Sequence, residues 1–216
     1  LEGLSPEKLL LLRRRLAERA ASSRIPRREV ESPAQLSFAQ QRLWFIHQLD
    51  PGSAAYNMPS RMRLRGPVRV EALRASLTEL SRRHEAVRTT LEEIAGEAVQ
   101  VIHPPASVFL PVVDVSRLAD DARVEEARRR VEEEAMRPFD LRRGPLLRAL
   151  LVRMNAEDWA ACFTMHHVIS DGWSTGVLTR EMSALYHAFS RGEPSPLPEL
   201  PFQYGDYAAW QRAWLR

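Results

Sequence analysis

The residues of this chain best suited to chemistry are two adjacent histidines. They stand in the string Met165-His166-His167-Val168-Ile169-Ser170-Asp171-Gly172-Trp173-Ser174. An imidazole titrates near neutral pH and suits proton transfer at a reacting centre. The string follows an apolar run with strand character and precedes a helical pattern, and such turns carry side chains out past a sheet edge. Neighbouring residues on a strand face opposite ways, so one imidazole should enter the packing and the other a cleft. Asp171 can hold the loop through an ion pair or accept backbone N–H groups. Gly172 permits a backbone conformation, or a close approach, that a side chain would block. Two histidines on opposite faces, with no Cys or Glu ligand nearby, make a poor metal pair, and no metal is expected. A histidine beside a strand is most often a satisfied core residue; the specificity lies in the whole HHxxxDG string.

The elements that must position this string can be read from periodicity and punctuation. Ser5-Pro6-Glu7-Lys8 opens a leader helix with a cap, a first-turn proline and an acid at its positive end. It should end near Ser22-Ser23, and Ile25-Pro26-Arg27-Arg28-Glu29 reads as an extended linker. Ser37 can cap a helix to about Gln48, with Phe38, Leu43, Trp44, Ile46 and Leu49 at roughly helical spacing and Asp50-Pro51-Gly52 as a stop. Phe38, Leu43 and Trp44 are expected in the core. Alternation predicts a half-exposed strand over 59–65, and an amphipathic helix over 70–83 turns Leu73, Leu77 and Leu80 inward. Paired strands over 88–93 and 97–103 flank Ala95-Gly96, and a short strand is expected over 110–115. The Glu- and Arg-rich stretch 120–136 predicts a helix with a solvated, ion-paired face. Apolar strands over 145–154 and 158–166 lead into the histidines. A helix over 175–190 buries Val177, Leu178, Met182, Leu185 and Phe189; a proline-rich surface crossing spans 194–201, and a last helix begins at Asp206. Strands and helices are intermixed, so the fold class is α/β or α+β, a mixed β-sheet flanked by helices.

Composition narrows the function classes. At 216 residues, 44% hydrophobic and 27% charged, the chain can bury a real core and is ordinary for a soluble domain. No apolar run approaches the length needed to cross a bilayer, and no signal peptide is evident, so no membrane role and a cytoplasmic location are expected. Cys162 is the single cysteine and reads as a small buried hydrophobe. The net charge of +3 comes mostly from arginines scattered among glutamates. No aromatic residues interleave with them, so a mildly basic face toward an acidic protein fits better than nucleic acid.

At the HHxxxDG string the chain resembles condensation-type acyltransferases of nonribosomal peptide synthetases, which are similar to chloramphenicol acetyltransferase. Three further segments match in order. Ser37-Phe38-Ala39-Gln40-Gln41-Arg42-Leu43-Trp44 resembles the first core motif, Arg83-His84-Glu85-Ala86-Val87-Arg88-Thr89-Thr90 the second, and Tyr204-Gly205-Asp206-Tyr207-Ala208-Ala209-Trp210 the fourth. The leader resembles the segment that precedes such domains. The resemblance implies amide formation between two carrier-bound thioesters, with His167 as general base or as a group placing the amine. It implies a structural role for His166, an ion pair from Asp171 to Arg88, and support from Arg42. The Gly172 backbone N–H is expected near the oxyanion, with Trp173 and Ser174 as substrate contacts; Ser174 reads equally well as a helix cap. His84-Glu85 could be an acid/base pair, but the family use of that motif is structural. Tyr204, Tyr207 and Trp210 should anchor a crossover helix. His47, His103 and His187 have no evident partners.

The string 169–174 resembles the subtype with an L-configured donor and acceptor. Heterocyclising relatives carry aspartates where this chain has His166 and His167, so that chemistry is rejected. Epimerisation-type and starter domains, the latter with a fatty acyl donor, remain alternatives, as do a noncatalytic docking lobe and a transferase acting on free acyl-CoA. The resemblance implies two lobes with a tunnel between them. Residues 1–30 read as leader and linker, and 31–216 as the N-terminal lobe of a condensation domain without its C-terminal lobe; alone it is expected to be inactive. The implied partners are donor and acceptor peptidyl carrier proteins, the C-terminal lobe and an adenylation domain. Substrates would arrive on phosphopantetheine arms of the carriers, and no covalent cofactor is expected.

Overall fold

A computed structural model describes residues 25–29 and 33–215. The expected leader helix lies outside the described residues, and residues 25–28 have no regular structure, in keeping with an extended linker. The described elements run β1 (Ala34–Gln35), α1 (Phe38–Leu49), β2 (Asn57–Arg65), α2 (Val70–Arg83), a 3-10 turn (Glu85–Arg88), β3 (Thr89–Ile94), β4 (Glu97–Ile102), β5 (Val112–Asp114), α3 (Asp120–Met136), β6 (Leu147–Arg153), β7 (Asp158–His166), α4 (Gly172–Ser190) and α5 (Tyr204–Trp214). The strands form two sheets. One is three-stranded in the order β1-β4-β3; the other is mixed, in the order β2-β7-β6-β5, with β5 parallel to β6 and the other pairs antiparallel.

Period-two alternation on β6 and β7 divides the interior. Leu147, Ala149 and Leu151 on β6, with Trp159, Ala161 and Met165 on β7, enter the main core. Leu73 and Leu77 of α2 pack into the same cluster, and Leu178 and Met182 of α4 lie against it. Leu150, Val152 and Cys162 point the other way, onto Ala127, Val131 and Ala135 of α3. Each large aliphatic side chain so buried contributes about 1.5–3 kcal/mol of transfer free energy. Cys162 is a buried free thiol that burial pushes up in pKa. The outer face of α3 carries the expected ion pairs, such as Glu125–Arg128 and Glu126–Arg130.

Several boundaries differ from expectation for local reasons. Helix α4 begins at Gly172, not 175, because Asp171 caps it. Helix α5 begins at Tyr204, since Gln203 is its cap residue and Asp206 its first-turn acid. Strand β2 starts two residues early, where Asn57 pairs with His166. The strand expected over 88–93 starts at Thr89, because Arg88 closes a 3-10 turn over Glu85–Arg88. Phe38 is not core: it is 40% exposed and lies under the Arg212 guanidinium, 4.2 Å from its carbon. Leu49 is exposed, and of the α1 apolar set Trp44 is the buried one. On α4, Leu185 is buried while Val177, Leu178, Met182 and Phe189 are only partly so.

Candidate active site

Strand β7 ends at His166, which sits on the same strand face as Cys162 and Thr164 and is buried, 4% exposed. Its ring lies 5.9 Å from Phe139, 6.3 Å from Tyr56 and 6.4 Å from His47, centroid to centroid. Its Nδ1 accepts the Val168 N–H at 3.1 Å, so that nitrogen carries no proton. Burial, then the neighbouring His47 and His167, lowers its pKa to about 4. The His166 imidazole is thus buried and neutral at neutral pH, and the Phe139 loop, which no local pattern in the sequence connects to it, helps to bury it.

His167 lies one residue past the strand and is exposed. Its backbone N–H donates to the Tyr56 carbonyl at 2.9 Å, extending the β2–β7 ladder by one step. Its Nδ1 stands 2.7 Å from the Ser170 carbonyl oxygen. A carbonyl only accepts, so Nδ1 carries the proton and the neutral ring presents an unprotonated Nε2. The loop is braced from within: Ile169 N–H donates to the His166 carbonyl at 3.1 Å, and the Ser170 hydroxyl lies 3.2 Å from the same oxygen. It is also braced from the first motif. The buried Gln40 amide donates to the Val168 carbonyl at 3.3 Å and to Gln100 at 3.0 Å. In the sequence Gln40 stands out only as a motif member, and Tyr56 and the Ser170 carbonyl carry no local signal.

Asp171 and Ser174 form a reciprocal capping box on α4. The Asp171 carboxylate accepts the Ser174 N–H at 2.7 Å, and the Ser174 hydroxyl oxygen accepts the Asp171 N–H at 2.7 Å. The Ser174 N–H foremost, and then the Ser174 hydroxyl 2.7 Å from the same carboxylate oxygen, hold the Asp171 carboxyl below its ordinary pKa. The expected Asp171–Arg88 ion pair is not formed. Arg88 ends the 3-10 turn that leads into the other sheet; it donates to the His103 carbonyl and lies 3.8 Å from Glu85. Asp171 finds its partners one helical turn away. Arg42 is exposed on α1 and makes no hydrogen bond to the signature loop among the described residues. Ser174 is a cap, and Trp173 is 83% exposed beside it. Gly172 does not have a positive φ, and a Cβ there would meet nothing within 4 Å, so a special backbone conformation is not its reason. Its N–H belongs to the first turn of α4, where N–H groups lack intrahelical acceptors.

The remaining histidines find partners. His84 Nε2 lies 2.6 Å from Glu181, which also accepts from the buried Arg83 at 3.0 Å. This tie joins the second motif to α4. His103 Nε2 meets the Thr90 hydroxyl at 2.7 Å, and His187 meets Arg191. Tyr204 shares a 2.9 Å hydrogen bond with Ser37, joining the fourth motif to the first, and Tyr204, Tyr207, Trp210 and Trp214 form a ladder of ring contacts along α5. No group of three or more His, Cys, Asp or Glu among the described residues could hold a metal ion, and no described helix is long and apolar enough to cross a membrane.

Beneath α4 lies a cavity of about 450 Å³ between that helix, α2 and the β2–β7 face of the mixed sheet. Met62 and Leu64 of β2, Phe163 and Met165 of β7, and Leu178 and Met182 of α4 line it.

Comparison with known proteins bears on the family and the fold. A family model described as Condensation domain matches residues 30–216. A linear gramicidin synthase polypeptide of Brevibacillus parabrevis is 45% identical over 203 residues, 93% of this chain and 3% of that protein. Chondramide synthase cmdD of Chondromyces crocatus is 50% identical over 82% of this chain and 4% of its own length. Phosphinothricin tripeptide synthetase PhsC of Streptomyces viridochromogenes is 44% identical over 99% of this chain and 20% of its own length. The chain thus spans a fifth or less of these relatives. Among solved structures, the X-domain in a complex with OxyB from teicoplanin biosynthesis superposes with a TM-score of 0.79 at 28% identity, over 89% of this chain and 40% of that one. The starter condensation domain of rhizomide synthetase RzmA shares the fold, with a TM-score of 0.77 at 21% identity over 86% of this chain and 44% of that one. The HHxxxDG loop, the first motif that braces it and these matches lead to one assignment: the chain belongs to the condensation domain family of nonribosomal peptide synthetases.

Proposed function

We propose that this domain takes part in amide formation between a donor acyl or peptidyl thioester and the amine of an acceptor aminoacyl thioester, each held on the phosphopantetheine arm of a carrier protein. The observation that carries the reading is the Nδ1–H bond of His167 to the Ser170 carbonyl, which leaves Nε2 free on an exposed ring. The amine nitrogen attacks the thioester carbonyl carbon, and Nε2 takes the proton that the nitrogen must shed, or orients the amine by accepting its N–H. The tetrahedral intermediate then expels the thiolate, which takes up a proton to leave as the carrier thiol, and the C–S bond is exchanged for C–N. The Gly172 N–H at the head of α4 is the candidate donor to the oxyanion. Trp173 offers an exposed face to the substrate arm, whereas His166, Asp171, Arg42 and Arg88 act through structure.

The L-donor, L-acceptor subtype rests on the string 169–174, and residues 31–216 are taken as the N-terminal lobe, which requires a second lobe to complete the tunnel. A fatty acyl donor is a second reading, favoured by the apolar cavity beside β7, whose lining could take an alkyl chain. The test uses a synthetase polypeptide with both lobes and with both carriers verified as loaded. Amide product is followed by mass spectrometry for wild type and His167→Ala, with aminoacyl and medium-chain acyl donors side by side. Product falling by about 10²- to 10⁴-fold in the variant is expected. Equal product from both proteins would remove His167 from the chemistry and leave a docking role; product from the acyl donor alone would establish the starter reading.

A further inference from the structure

The second and fourth motifs contain three residues with no place in the chemistry at His167: Glu85, Gly205 and Asp206. They converge on one side chain, Arg28 of the segment that enters the domain. Arg28 Nη1 donates to Asp206 Oδ1 at 2.8 Å, Nη2 donates to Glu85 Oε2 at 2.6 Å, and the Arg28 backbone N–H donates to Asp206 Oδ1 at 3.2 Å. The side chains of Arg28, Asp206 and Glu85 are only 10%, 4% and 14% exposed. The walls are fixed independently. Asp206 Oδ2 accepts the Gln203 N–H at 2.8 Å, while the Gln203 amide oxygen accepts the Glu85 N–H at 3.1 Å and its nitrogen donates to the Arg83 carbonyl at 2.9 Å. Gly205 is a buried residue in the first turn of α5, and its φ is not positive. A Cβ there would stand 2.6 Å from Arg28 Nη1 and 2.9 Å from Cζ, so the missing side chain is the space the guanidinium occupies. Beside it, Arg27 donates to the carbonyls of Pro201 and Leu200 at 3.1 and 2.8 Å.

We propose that Glu85, Gly205 and Asp206 form an arginine-reading socket whose occupant is Arg28, and that this socket fixes the position from which anything joined upstream meets the domain. The chemistry selects arginine. Two carboxylates on different elements need a planar group that donates in two directions at once, and a lysine ammonium is a single point charge. An empty socket would leave buried carboxylates short of a partner, with Arg88 3.8 Å from Glu85 as a weaker neighbour among the described residues, so the socket favours being filled.

Hydrogen exchange on the full chain tests this. The Arg28 and Glu29 amides should exchange roughly tenfold or more faster in Gly205→Ala, in Arg28→Lys and in the charge-removing pair Arg28→Met/Asp206→Asn, while β6 and β7 keep their protection. Gly205→Ala adds a single methyl group and the paired variant leaves no uncompensated charge at Asp206, so these two guard against simple misfolding. Unchanged exchange at 28–29 in either of these, in a protein that is otherwise folded, overturns the socket; full protection in Arg28→Lys overturns its selectivity for arginine. A second measurement rests on the function proposed above. Amide formation should slow in Gly205→Ala when the donor carrier is joined through this segment, and match wild type when the same carrier is supplied as a separate protein. An equal effect in both formats overturns the positioning role, and the exchange data stand independently of whether any amide forms.

Discussion

His166 offers the sharpest test of how this site divides labour between two adjacent histidines. The folded protein holds it neutral, with a pKa lowered to about 4 by burial and by the histidines nearby. In the unfolded chain it should titrate near 6.5, so unfolding takes up a proton wherever the pH lies between those values. Stability is therefore unaffected above the unfolded pKa, falls as pH drops through the window, and levels off below the folded pKa. At about 1.4 kcal/mol for each pH unit between the two pKa values, the window is worth about 3 kcal/mol, of which about 2 kcal/mol is lost by about pH 5. Urea denaturation of the chain, followed by the fluorescence of its 5 tryptophans, would show the midpoint falling by about 1 M between about pH 7 and about pH 5. The control is His166→Asn, whose side-chain oxygen can still accept the Val168 N–H that Nδ1 accepts. Burial also lowers His47, foremost among its causes, and carboxylates lose their pairing in acid, but both contributions remain in the variant. The difference between the two proteins isolates His166. Parallel losses of stability in wild type and variant over that range would refute the assignment of His166 as a buried neutral group.

Two further outcomes follow from backbone geometry. Asp171→Ala removes the carboxylate that caps α4 through Ser174 and should cost about 1 kcal/mol, seen in thermal unfolding, with Asp171→Asn milder. The native cap also weakens in acid: the Asp171 carboxyl is held below its ordinary pKa, so its contribution is present above the unfolded value and is lost as pH falls through the folded one. Ala95 sits at φ 53° ahead of Gly96 at φ 81°, a turn conformation that suits Asn-Gly or Gly-Gly. Ala95→Gly should therefore stabilise the β3–β4 hairpin by about 0.5–1 kcal/mol, measured as a higher urea midpoint.

The loop around His167 shows where reading a sequence stops. Strand parity required that His166 and His167 face different ways, which they do. Parity alone could not choose the buried member, because that depends on which strand face Phe139, Tyr56 and His47 close over. The Asp171–Arg88 pair was expected from resemblance and failed because Asp171 had a nearer use. A carboxylate at a helix start satisfies local N–H groups at little entropic cost, while an ion pair across the fold must order a long side chain. Ser174, read evenly as cap or substrate contact, proved to be the other half of the same box.

The sequence by itself determined the elements and the chemistry available to them. Helices 70–83 and 120–136 are read to the residue, because an amphipathic period and its stops are written within a few turns of chain. The ordered motifs, with HHxxxDG among them, identified the family. Only the tertiary structure decided which groups meet. Gln40 reaches across to Val168, Tyr204 to Ser37, and Arg28 to Glu85 and Asp206, contacts of 57 to 178 residues' separation. Such partners are selected by packing rather than by spacing: a buried polar group must find its complement wherever the layered core places one, and no local periodicity encodes that place. Gly205 makes the point in one residue. Its φ is not positive, and only the Arg28 guanidinium lying 2.6 Å from where its Cβ would be gives the reason it is glycine.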